Sequence, residues 1–142
     1  MASLDAVANA LAKTIEDYTE VDELYVLAYP ADSGHLPAVV IAETGGDYLM
    51  DMGHGWVRWD FDVLVMIPRV ELSESVPKLR RMLSGTGPES IEHVLFQHPG
   101  IGLTDGTEVK VGEVVPGSAP QWNSIPYIGA TLKVSVITDG RA

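Results

Sequence analysis

The chain has 142 residues, a hydrophobic fraction of 46% and a formal net charge of −11. That length is one domain by the usual scale, and a chain of this size buries about two thirds of its unfolded surface without needing staples. The absence of cysteine excludes disulfides, zinc–thiolate sites, iron–sulfur clusters and cysteine nucleophiles. The 20 acidic residues against 9 basic ones oppose nucleic-acid binding, whose affinity comes from clustered Lys and Arg.

Leu4, Val7, Ala8, Leu11, Ala12 and Ile15 recur at i, i+3, i+4 and i+7. The spacing predicts an amphipathic helix over about residues 3–17, with Ser3 as its N-cap. The segment has no basic n-region, so it does not read as a signal peptide. No apolar run reaches the 18 or so residues of a membrane span, which makes a protein produced in the cytoplasm the expectation.

Glu23 to Pro30 is β-branched and aromatic and predicts a strand closed by Pro30. Asp32-Ser33-Gly34 is turn chemistry. Pro37 to Glu43 (PAVVIAE) predicts a second strand, apolar enough to be covered on both faces. Thr44 to Gly55 reads as a glycine-rich connection with an unusual apolar load: Tyr48, Leu49, Met50 and Met52. Such a load fits either a folded-back hairpin or a surface that docks on a partner.

Val57 to Pro68 predicts the longest strand. Alternation puts Trp59, Phe61, Val63, Val65 and Ile67 on one face, and Arg58, Asp60, Asp62, Leu64 and Met66 on the other. The second face starts polar and ends apolar, so half of it should be wet and half covered. Ser73 to Leu83 predicts a helix in which Pro77 is tolerated only in the first turn. Pro88 to Gln97 predicts a short helix with Ile91, Val94 and Leu95 on one side, ended by His98-Pro99-Gly100. Thr107 to Val115 predicts a fourth strand, and Pro116 to Pro126 a loop containing Trp122. Tyr127 to Thr138 predicts a fifth strand with Ile128, Ala130, Leu132, Val134 and Val136 inward. The order predicts a single α+β domain over residues 1–142, one mixed or antiparallel sheet of about five strands packed against helices on one face.

Chemistry is hard to find along this chain. His35, His54, His93 and His98 show no metal-ligand spacing. Asp60 and Asp62 share a strand face beside Arg58, where exposed polar residues ordinarily sit. Asp47 and Asp51 lack the ligand density of a calcium loop. The glycine pairs Gly45-Gly46, Gly53/Gly55 and Gly85/Gly87 are followed by no Lys-Ser/Thr and form no phosphate loop. No nucleophile elbow is present. The one basic cluster, Lys78, Arg80 and Arg81, reads as a solvated helix face. The expectation is a protein without catalytic residues, metal or cofactor.

Aromatic residues and methionine are enriched at protein interfaces. Tyr48, Met50, Met52, Trp56 and Trp122 are therefore candidate interface residues, Asp60 and Asp62 join them from the second face of the long strand, and Trp59 is better placed in the core.

Five features then coincide: the N-terminal amphipathic helix running to Tyr29-Pro30, the apolar strand at Pro37–Ile41, the long strand Trp59–Val65, the segment Ser84–Ile91 introducing a short helix, and a terminal apolar strand. In this pattern the chain resembles the tail terminator and related head–tail joining proteins of long-tailed bacteriophages, especially those of actinobacterial siphophages. The resemblance spans nearly the whole chain as a pattern of elements with loose local motifs. It implies a homo-oligomeric ring, usually a hexamer, that caps the tail tube, stops its polymerisation and joins the tail to the head connector proteins. It implies a place in the virion at the head–tail junction, DNA passing through without specific binding, and no catalytic residues. A head-side connector or stopper protein is the near alternative. A small enzyme or ligand-binding domain using Asp60, Asp62 and His54 is the distant one.

Overall fold

A computed structural model describes residues 4–21, 23–29, 36–48, 56–68, 72–103, 107–117, 121–122 and 125–139. The elements are α1 (Leu4–Tyr18), β1 (Tyr25–Leu27), β2 (Ala38–Tyr48), β3 (Trp56–Pro68), α2 (Leu72–Leu83), α3 (Ile91–Gln97), β4 (Glu108–Gly117), β5 (Gln121–Trp122) and β6 (Ile125–Asp139). The strands form one mixed sheet in the order β1-β2-β3-β6-β4, with β5 paired to the start of β6. β1 runs parallel to β2, and the other pairings are antiparallel. The fold is α+β with the sheet packed against helices.

All three helices cover the same face. Val7, Ala8, Leu11, Ala12 and Ile15 of α1 are buried against Val39 and Ile41 of β2 and Phe61, Val63, Val65 and Ile67 of β3. Met82 of α2, Ile91 and Leu95 of α3, and Leu132, Val134 and Val136 of β6 complete this core. The alternation along β3 follows from strand geometry, which sends successive side chains to opposite faces.

The opposite face divides along its length, as the pattern of β3 predicts. Towards one end Leu27, Ala38, Val40, Met66 and Tyr127 form a second buried cluster, with Leu64 packed against it. Tyr127 lies across Gly129, where an added Cβ would meet its ring at 3.3 and 3.4 Å and would also run into the Val65 carbonyl oxygen. Glycine is therefore required there by close approach, not by a turn. Towards the other end the face is polar and half-exposed, with Arg58, Asp60 and Asp62 from β3.

The structure departs from the sequence pattern at several places. The first strand is only three residues, Tyr25–Leu27; Glu23 has φ 57° and so cannot continue it. Of the two readings of Thr44 to Gly55, the described residues follow the folded-back hairpin, and Thr44 to Tyr48 is strand rather than open connection. After a bulge between Glu43 and Gly45, Gly45, Gly46, Asp47 and Tyr48 pair with Asp60, Trp59, Arg58 and Val57. The Thr44 hydroxyl donates to the Asp60 carbonyl at 3.3 Å, and Gly46 lets the Trp59 ring lie on its backbone. Pro77 sits in the second turn of α2, not the first. It removes a donor to the Ser73 carbonyl, while Ser75 anchors the preceding turn by donating to the Pro68 carbonyl at 2.9 Å. Within the expected loop at 116–126, Pro116 and Gly117 extend β4, and Gln121 and Trp122 pair with Pro126 and Ile125.

α3 starts at Ile91 instead of Pro88 because Ser90 is its N-cap. The Ser90 hydroxyl accepts from the His93 amide at 3.1 Å and donates to the Ser84 carbonyl. That satisfies a helix-start donor and ties the α2–α3 connection to the cap. The expected cap Ser3 and turn 32–34 lie outside the described residues.

Candidate functional site

The interface candidates fall into two groups along the sheet. Tyr48 and Trp56 occupy the ends of β2 and β3, where Tyr48 pairs with Val57 and Trp56 with Asp139. Asp60 and Asp62 follow two and three steps along the polar face of β3. Trp122 pairs with Ile125 at the start of β6, the end of that strand farthest from Asp139. β3 alone has 13 residues, so these two ends are about 40 Å apart at strand rise. Met50 and Met52 lie outside the described residues.

The geometry on the polar face is one of mutual neutralisation. The register places Ala42, Asp62, Lys133 and Glu113 in one row across four strands, and Gly45, Asp60, Ser135 and Lys110 in the next. Lys133 Nζ donates to Asp62 Oδ1 at 2.8 Å, and Ser135 Oγ donates to Asp60 Oδ1 at 3.0 Å. Arg58 donates from an NH2 group to Asp60 Oδ2 at 3.4 Å. Its Nε lies 3.2 Å from Asp60 Oδ1 but is not directed at it, which leaves that N–H without a hydrogen-bond partner. The Asp62 and Lys133 side chains keep 31% and 47% of their exposure, so this ion pair contributes little to stability. Asp60 and Asp62 sit on a half-exposed sheet face with a cation beside each.

Grooves of 260 to 470 Å³ run beside α1, α3 and the α2–α3 connection, and neither Asp60 nor Asp62 lines any of them. One of 470 Å³ lies between α3 and β4 and is flanked by Phe96, which is 73% exposed. Sequence reasoning missed Phe96 because it took α3 for a plainly amphipathic helix; its place one residue past Leu95, off the Ile91–Val94–Leu95 stripe, was the available signal.

Two of the four histidines fall among the described residues. The His98 ring stacks on Tyr18 at a centroid distance of 3.8 Å, joining the C-terminal ends of α3 and α1. His93 lies in the first turn of α3, and His35 and His54 are outside the described residues. Among the described residues no group of three or more His, Asp and Glu side chains could hold a metal ion. In the basic cluster, Arg81 is paired with Glu89 at 2.6 Å and braces the α2–α3 connection. Arg80 and Arg81 also stand in the last turn of α2, where cations suit the helix dipole. Among the described residues no helix is long and apolar enough to cross a membrane.

No protein-family model matches the chain, and no curated protein matches it.

Proposed function

We propose that this chain is a structural assembly subunit whose work is done by contacts with copies of itself and with other proteins. Within that class, the reading that fits best is a tail terminator of a long-tailed phage: a ring that caps the tail tube, halts its growth and receives the head connector. Its site of action is the head–tail junction of the virion.

One observation carries this reading. The candidate contact positions occupy two unlike ends of a single long sheet, with Tyr48 and Trp56 at one and Trp122 at the other. A ring requires a heterologous interface, in which different surfaces of one subunit meet the next and the rotation closes. A subunit with distinct contact surfaces about 40 Å apart can satisfy that condition. On the polar face Asp62 is paired with Lys133, and Asp60 with Ser135 and Arg58, so covering that face would bury paired rather than isolated charges, which costs less than burying a lone carboxylate. The net charge of −11 suits a channel through which DNA passes without adhering.

The test uses one disabled end per variant. Trp56→Ala blocks one surface and Trp122→Ala the other. Each variant alone should fail to form rings, and the two mixed should stop at dimers, because only one productive contact remains per pair. A mixture that closes into full rings, or two variants that both assemble normally, would remove the heterologous interface from consideration.

A further inference from the structure

We draw no further inference here: the strongest candidate, the groove between α3 and the edge strand β4 beside the exposed Phe96, carries nothing because nothing in the structure shows what covers it.

Discussion

Replacing Gly46 with alanine separates a paired strand from a free connection. Alanine in an extended strand is ordinarily better than glycine by roughly 0.5–1 kcal/mol, since glycine loses more backbone freedom on folding. At Gly46 the added Cβ would stand 2.6 Å from Cε3 of Trp59 and 2.7 Å from the Arg58 carbonyl oxygen. The indole can tilt, but the Arg58 carbonyl belongs to β3, whose register is fixed by β2 on one side and β6 on the other. The substitution therefore forces β2 away from β3, an overpacking cost of about 2 kcal/mol. For a domain of this size that corresponds to a melting temperature lowered by about 7 °C. Thermal unfolding followed by circular dichroism reads the shift, with Gly85→Ala as the control. The nearest atom to a Cβ at Gly85 is 3.8 Å away, so the control should melt within about 0.5 kcal/mol of the parent. If Gly46→Ala melts with the parent or above it, the residues from 44 to 48 do not pair as described.

Three further substitutions probe other joints of the fold. Ser90→Ala removes the cap of α3 and the bond to Ser84, and should cost about 1–2 kcal/mol in denaturant unfolding. Met66→Ala, fully buried on the face away from the helices, should cost about 2–4 kcal/mol; a cost below 1 would mean that end of the face is not covered. Lys133→Met removes the partner of Asp62. Its effect should stay under about 1 kcal/mol and shrink further in high salt, because the pair is half-exposed.

Much of the fold was legible because its core follows the two simple periods. The stripe Val7–Ile15 and the alternation from Trp59 to Ile67 each bury the residues they point at. The switch from Asp62 to Leu64 on the second face of β3 marks where the polar half gives way to the buried cluster. What escaped the sequence was set by neighbours rather than by local preference. Gly45 and Gly46 read as a break because glycine weakens a strand in isolation, yet the bulge and the overlying Trp59 ring make glycine the residue that fits. Pro77 read as tolerable only in a first turn, since the Ser75 bond to the end of β3 that supports α2 ahead of it is tertiary. Ser90 displaced Pro88 as the start of α3 for a similar reason: its bond to Ser84 spans the connection. The separation of Trp56 from Trp122 depends on strand pairing, which pattern alone does not encode.

Molecular mass measured for the purified chain, alone and after incubation with tail tubes, addresses the assembly role most directly. The subunit is 15.3 kDa. A terminator should form a closed ring bound at one end of each tube, with tube growth arrested. A species that stays at subunit mass in both samples, while the tubes continue to lengthen, would contradict that role.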